Sequence, residues 1–412
     1  MIKRLCILYL ALMIGMLCNS QSIKKLHYKA VLVDTHNDVL SGAVLEGKDI
    51  SHRIKGGHSD LERWKEGGVD VQFFSVYTGP EARNKEGYYK DANQEIDSLE
   101  SIVLRNPSRM LMATNYKQVK KGMRQKKLVA LIGVEGGHMI ENDIQKLEAL
   151  YQRGMRYMTL TWNNSTSWAS SAMDETAFSS LSPADKSPPA SGEEIYGDSL
   201  KRKGLNDFGK QIVRRMNELG IIVDLSHTGE VTFYDAVATT TKPVLLSHSS
   251  VWNICPVFRN VKDEQIKAVA KNGGVICINF YSGFISKEFD QRSVYLNGRG
   301  KKIIQDSLMA ISKDSAIMKK EWQKYYDIEM NKVRPTLARL VDHIDHIVKL
   351  VGDDYVGIGA DYDGVDSVPI GMDDVTAYPK ITGELMRRDY SKKSIMKILG
   401  GNVLRVMKAN FR

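Results

Sequence analysis

The chain has 412 residues, 42% of them hydrophobic and 26% charged, with a formal net charge of +9. These are values of an ordinary globular protein, with enough length for a large core in one large domain or two. The basic clusters Lys120-Lys121, Arg214-Arg215 and Lys319-Lys320 are small and scattered, and no dense Lys/Arg block with interleaved aromatics occurs. The positive excess therefore reads as solvated surface, with no nucleic-acid partner.

Taken in chain order, the first element is a targeting segment. Lys3 and Arg4 precede an apolar run from Leu5 to Leu17, and Cys18 and Ser20 stand at −3 and −1 of a cut before Gln21. A basic start, a short apolar run and small residues at the cut describe a signal peptide over residues 1–20, hence export to a periplasmic or extracellular space. The run is short for a transmembrane helix. A lipoprotein joined through Cys18 is the alternative, disfavoured by the bulk of Leu17. The C-terminus carries no hydrophobic tail, so no GPI anchor is expected. Two of the four cysteines, Cys6 and Cys18, fall in this segment; Cys255 and Cys277 could form one disulfide but no framework, and Cys277 reads as a core residue.

Eight short apolar runs follow: Ala30–Asp34, Val69–Val76, Val129–Glu135, Tyr157–Thr161, Ile221–Leu225, Val244–Ser247, Val275–Phe280 and Tyr355–Ala360. Each is apolar on both faces and bounded by Gly, Pro or polar residues, as buried parallel strands are. Helical spacing recurs between them, over Asp143–Arg153, over Asn206–Leu219 with Gly220 as its stop, and over Asp263–Lys271. Eight alternations predict an α/β fold of the (β/α)8 TIM-barrel type. A doubly wound sheet is the alternative, but no G-x-G-x-x-G follows the first strand. Two segments interrupt the pattern. Ser165–Leu200 is rich in Ser, Ala and Pro and reads as an active-site rim loop. About 285–335 is charged and helical, an insertion before the last helix and strand that serves as a lid or a subunit contact, the latter compatible with a homodimer. No linker is evident, so 21–412 is read as one domain.

In a strand, residues two apart share a face, so His36 and Asp38 point the same way beyond the first run. An imidazole and a carboxylate side by side make half of a zinc site. His227 and His248 end the fifth and sixth runs, and Glu135 ends the third. In a barrel those ends converge on one mouth. Two-metal hydrolases hold their ions about 3.5–4 Å apart, and a shared carboxylate does this naturally. His36 and Asp38 are therefore assigned to one Zn2+, His227 and His248 to a second, and Glu135 to both. Asp361, at the end of the last run, faces the same mouth and can take a proton from a metal-bridging hydroxide and pass it to a leaving amine. Asp363 beside it fits a turn role with Gly364. Arg259, after the sixth run, could clamp a substrate carboxylate, although spacing alone favours a surface ion pair. His343 and His346 lie on a helix at the far end of the barrel and read as a helix face; His52, His58 and His138 read as structural or rim residues.

The motifs D-T-H-N-D (34–38), G-V-E-G-G-H (133–138), D-L-S-H (224–227), L-S-H-S-S (246–250), F-R-N-V (258–261) and G-A-D-Y-D-G (359–364) occur in that order. With them the chain resembles the membrane dipeptidase family of zinc metallopeptidases, from about Val31 to the C-terminus apart from the insertion. The resemblance implies a binuclear zinc (β/α)8 barrel that cleaves dipeptides, including those with a C-terminal D-residue. It implies further that Glu135 bridges the metals, Arg259 holds the substrate carboxylate and Asp361 is the acid/base. One position departs: Trp162 stands where better-known members carry a histidine that contacts the scissile carbonyl, so Trp162 joins the substrate-binding candidates. The expectation is an exported zinc dipeptidase with Asp361 and Glu135 as catalytic residues. The alternatives are a related zinc amidohydrolase acting on N-acyl amino acids or lactones, and a non-catalytic binding protein.

Overall fold

A computed structural model describes residues 21–180, 204–309 and 314–412; the expected targeting segment (1–20) and the Ser- and Pro-rich stretch from residue 181 onward lie outside them. Among the described residues nine strands form: β1 (Val33–Asp34), β2 (Val71–Tyr77), β3 (Met110–Met112), β4 (Leu128–Glu135), β5 (Met155–Thr159), β6 (Ile222–Asp224), β7 (Leu245–Leu246), β8 (Val275–Ile278) and β9 (Val356–Ile358). All ladders are parallel. They run β1–β2–β4–β5–β6–β7–β8–β9, and β9 pairs back onto β1, closing an eight-stranded barrel with helices around it. This is the (β/α)8 fold that the eight apolar runs predict. β3 was not among those runs. It pairs only with the first residues of β4, Met110 against Leu128, and stands outside the ring.

The ends of the predicted helices follow from local chemistry. Asp143 accepts the Gln145 N–H ahead of the helix Ile144–Gln152. Asn206 accepts the Gly209 N–H ahead of Asp207–Leu219, which buries Ile212, Val213 and Met216 and stops at Gly220 with φ 89°. Polar caps satisfy free N–H groups, and a left-handed residue ends the helix at least cost when it is glycine. Inside the Ser- and Pro-rich stretch, read from sequence as a loop, the helix Ala172–Ser180 forms.

Residues two apart divide the core. Val71 and Phe73, Val129 and Leu131, and Val275 and Cys277 fill the barrel interior, whereas Phe74, Ile132 and Ile276 pack outward under the helices. The C-terminal helix Asn402–Asn410 adds Val403, Val406 and Met407 to the interior cluster. It sits at the strands' N-terminal ends, where Asn410 donates to the Pro243 carbonyl at 3.0 Å. That end is plugged, and the opposite end is open to ligands. Cys255 and Cys277 are both buried and free, so no disulfide joins them.

The segment after β8 is helical over Ser282–Ile285, Lys287–Tyr295, Lys301–Met309 and Ser315–Lys332, with a small core of Phe289, Leu296 and Met330. It springs from the C-terminal side of the barrel. The next helix, Leu337–Val351, carries His343 inward rather than on an open face: its Nδ1 accepts the Val251 N–H at 3.0 Å and its Nε2 reaches the Ile285 carbonyl at 3.1 Å. Its neighbour His346 pairs with Asp263 at 2.7 Å. Among the described residues, no helix is long and apolar enough to cross a membrane.

One glycine matters to the site above it. Val129, Leu131, Gly133 and Glu135 share the inward face of β4, and a Cβ on Gly133 would lie 2.0 Å from Cζ of Tyr157. The missing side chain is the space that the Tyr157 ring occupies. Gly133→Ala is therefore expected to lower stability by about 1–3 kcal/mol, the usual cost of overpacking a core. Denaturant unfolding measures it, and an unchanged midpoint would mean that Tyr157 has room to yield.

Candidate metal centre

At the open end the chain leaves each strand within a few residues of a polar side chain. Glu135 is the last residue of β4, 4% exposed, in register with Tyr77 of β2 and Thr159 of β5. His36 and Asp38 follow β1. Their backbone is tied to the segment after β9: the Asp361 N–H donates to the His36 carbonyl at 3.2 Å, and the Asp38 N–H donates to the Tyr362 carbonyl at 3.0 Å. His227 follows β6 and Asp361 follows β9, both with left-handed backbones, φ 64° and 63°. Such conformations are uncommon for non-glycine residues and concentrate at functional sites. His248 follows β7, with its N–H donating to Ser226 Oγ at 3.0 Å.

The side chains converge. His36 Nε2 lies 3.2 Å from Glu135 Oε2, 3.3 Å from Asp38 Oδ2 and 3.9 Å from Asp361 Oδ1. The other oxygen, Glu135 Oε1, lies 3.0 Å from His227 Nε2 and 3.3 Å from His248 Nε2. Two groups thus have ligand atoms close enough for one ion, His36–Glu135–His248 and His36–Asp38–Asp361.

The hydrogen bonds behind the imidazoles decide what their Nε2 atoms can be. His227 Nδ1 faces Asn163 Oδ1 at 2.9 Å, an acceptor, so Nδ1 carries the proton. His248 Nδ1 faces Ser247 Oγ at 2.7 Å, and that hydroxyl donates to Asp224 Oδ2 at 2.6 Å, so Nδ1 again carries the proton. Both Nε2 lone pairs are then bare, 2.9 Å apart, and directed at a carboxylate oxygen. Three electron-rich atoms with no proton among them repel unless a cation lies between. His36 Nε2 and Asp38 Oδ1 are also buried without a hydrogen-bond partner. The donor set fits metal ions: neutral imidazoles oriented from behind, with carboxylates completing the shell.

The electrostatics agree. Burial first, then Arg259, lowers His227 to about 3, and burial, then His36, holds His248 well below the usual imidazole value, so both are neutral ligand-type rings. Burial opposes charge on His36, but the Tyr157 hydroxyl and the Glu135 and Asp38 carboxylates outweigh it and hold that ring well above its usual value. Positive charge is favoured where Nε2 sits, and a divalent cation answers the same field. Burial, reinforced by Asp38 and Glu135, pushes the Asp361 carboxyl well above the ordinary range.

Arg259 reaches the same site and is no surface residue. It is 3% exposed, donates from Nη2 to the His248 carbonyl at 3.0 Å, and leaves Nε buried without a partner. Burial lowers its pKa to about 10. Trp162 stands at the rim, 6.1 Å between ring centroids from His227 and 5.2 Å from Tyr77. These side chains, with Asp38, Glu135 and Asp361, line a cavity of about 630 Å³, a volume suited to a small-molecule ligand. Asp363 also borders it, but is held in a turn: its Oδ1 accepts the His58 N–H at 2.6 Å and its own N–H donates to His58 Nδ1 at 2.8 Å.

Several contributors escaped the sequence reading. Tyr157 OH meets His36 Nδ1 at 2.9 Å, Asn163 orients His227, Asp224 and Ser247 orient His248, and Asn279 Nδ2 donates to Asp361 Oδ2 at 2.7 Å. Asn279 carried the signal that singled out Glu135, a polar residue straight after an apolar run. Asn163 and Tyr157 carried none, because their partners are 64 and 121 residues away.

Comparison with known proteins places this architecture. Residues 20–411 match the family described as Membrane dipeptidase (Peptidase family M19). The chain belongs to that family. As a family member it is 28% identical over 383 residues to Dipeptidase 3 of Rattus norvegicus, covering 92% of this chain and 64% of the rat protein. The chain thus spans somewhat under two thirds of that relative's length. Among solved structures, the probable dipeptidase PvdM from Pseudomonas aeruginosa superposes with a TM-score of 0.73 at 22% identity, over 95% of this chain and 98% of that one. A metallo peptidase from Rhodobacter sphaeroides, liganded with a phosphinate mimic of the dipeptide L-Ala-D-Ala, superposes with a TM-score of 0.70 at 20% identity, over 93% and 99%. Both share the fold of this membrane dipeptidase family member.

Outer partners of ligating histidines typically carry a 10- to 100-fold effect on metal affinity, so Asn163→Ala is expected to weaken metal binding by about that factor. Competition with a chromophoric chelator measures it. An unchanged affinity would mean that Asn163 does not set the His227 tautomer.

Proposed function

We propose that this chain is a zinc dipeptidase, hydrolysing the peptide bond of dipeptides, those with a C-terminal D-residue included. The observation that carries the reading is Glu135, whose two oxygens face separate imidazole groups beside a buried arginine with an unpaired nitrogen. His36 and Asp38 would hold one Zn2+, His227 and His248 a second, with Glu135 reaching both. Zinc bound there supplies a Lewis acid for the carbonyl and lowers the pKa of water.

The remaining roles belong to the protein. Arg259 offers its guanidinium to the substrate carboxylate, and its burial strengthens that pairing relative to one in bulk water. Asp361 takes the proton of the attacking water and delivers it to the leaving amine. Asn279 holds Asp361 Oδ2, which leaves Oδ1 to face the His36 side of the cavity. The phosphinate dipeptide mimic bound by the Rhodobacter sphaeroides protein supports a dipeptide as the substrate class.

Purified protein is expected to carry two zinc ions per chain and to cleave a panel of L,L and L,D dipeptides in a chelator-sensitive manner. Asp361→Asn should lower kcat by about 10²–10⁴, the usual contribution of a general acid–base, with zinc retained. Fewer than two metals per chain, together with no chelator-sensitive dipeptide hydrolysis, sinks the reading. Turnover confined to N-acyl amino acids or lactones would move it to the amidohydrolase alternative.

We further propose that the chain is exported after removal of residues 1–20, on the strength of the Leu5–Leu17 run and the small residues before Gln21. N-terminal sequencing of the mature protein should begin at Gln21, and a chain that still begins at Met1 would overturn this.

A further inference from the structure

Both walls of the cavity above the carboxylates are aromatic, and closure of the barrel sets them across from each other. Tyr77 ends β2 and Trp162 stands three residues beyond β5, with their rings 5.2 Å apart. Tyr281 and Phe284 come from the segment after β8, edge to face at 4.8 Å. The Arg259 guanidinium, from the loop after β7, lies over Phe284 at 5.4 Å. In the closed order β1–β2–β4–β5–β6–β7–β8–β9, β7 is diametrically opposed to β2, and β8 to β4, which lies between β2 and β5. The Tyr77–Trp162 wall therefore faces the Arg259–Phe284 wall, and Glu135, Asp38 and Asp361 line the cavity between them.

The walls differ in charge. One holds Arg259, the one lysine or arginine lining the cavity among the described residues; the other presents two uncharged rings. The uncharged wall is also held in place. The Trp162 Cβ lies 3.4 Å from the position a Gly136 Cβ would take, and the next residue, Asn163, is tied to His227. Preorganised rings lose little freedom when a ligand meets them.

We propose that Tyr77 and Trp162 form the subsite for the side chain of the amino-terminal residue, and that it selects aromatic and large apolar residues. The inference rests on the dipeptidase reading. With the substrate carboxylate on Arg259 and the scissile amide above Glu135, the amino-terminal residue extends to the opposite wall. There an aromatic side chain meets a pair of rings already packed against each other, and a glycine finds nothing to bury.

The test is a panel of Phe-Ala, Leu-Ala and Gly-Ala, with Ala-Phe and Ala-Gly as the carboxyl-side controls, on the zinc-loaded enzyme. The native protein should prefer Phe-Ala to Gly-Ala in kcat/KM by on the order of tenfold, as burial and ring contact of one aromatic side chain allow. Trp162→Ala and Tyr77→Ala should each collapse that ratio while the Ala-Phe to Ala-Gly ratio persists, and Trp162→Phe should restore part of it. A Phe-Ala preference that survives both alanine variants, or two ratios that fall together, overturns the proposal. If the native protein cleaves no dipeptide, the dipeptidase reading fails, and the subsite is judged by calorimetric binding of uncleaved Phe-Ala and Gly-Ala. Tighter binding of Phe-Ala that is lost in Trp162→Ala upholds the subsite, and equal affinities reject it.

Discussion

A carboxylate buried at 4% exposure with three imidazole nitrogens within 3.3 Å cannot be stable without a defined distribution of positive charge. Glu135 sets that requirement for the whole barrel mouth. One oxygen looks toward His36 and the other toward His227 and His248, so strands β1, β4, β6 and β7 must end at matching heights around it. A closed parallel barrel does this with little adjustment, because every strand terminates on the same side and side chains beyond the last ladder bond turn inward. An open sheet would spread the same residues along an edge.

The polar shell beneath these side chains shows how the requirement is met. Asp224 accepts from the Ser247 N–H and hydroxyl and from Thr159, and Asp34 accepts from Tyr378 and the Ala360 N–H. Both are buried, and burial raises both carboxyls, Asp34 to about 6. Their hydrogen bonds compensate that cost and also lock neighbouring strands: Asp34 joins β1 to the segment after β9, and Asp224 joins β5, β6 and β7. Ring orientation at the candidate metal centre is thus coupled to closure of the barrel rather than added to it. Tyr157 shows the same coupling from another direction, since its ring fits only because residue 133 is a glycine and its hydroxyl then meets His36.

Around this rigid ring, the loops differ in what they bring. The segment after β8 contributes Tyr281 and Phe284 to the cavity, and Tyr281 also packs against the Phe289–Leu296–Met330 cluster of the helical insertion. The insertion therefore supports one cavity wall from behind. The end of β2 and the stretch after β5 contribute the other wall, so the cavity surfaces come from elements far apart in the chain.

Sequence by itself determined the barrel and the residue types that gather at its mouth. Doubly apolar runs are what a strand covered on both faces needs, and a charged or imidazole residue just past such a run has few places to go except a strand end. That logic found His36, Asp38, Glu135, His227, His248 and Asp361. It missed β3, three residues long and outside the ring, and the inward turn of His343. For Arg259 it favoured the surface, because an arginine in a loop is ordinarily solvated and only the tertiary structure buries it against the His248 carbonyl. The tautomers of His227 and His248, the ring pair of Tyr77 and Trp162 and the space left by Gly133 were likewise decided by tertiary structure. Each depends on a contact between strands that are neighbours in the barrel but distant in the chain, and periodicity along one segment carries no record of which segment lies beside it.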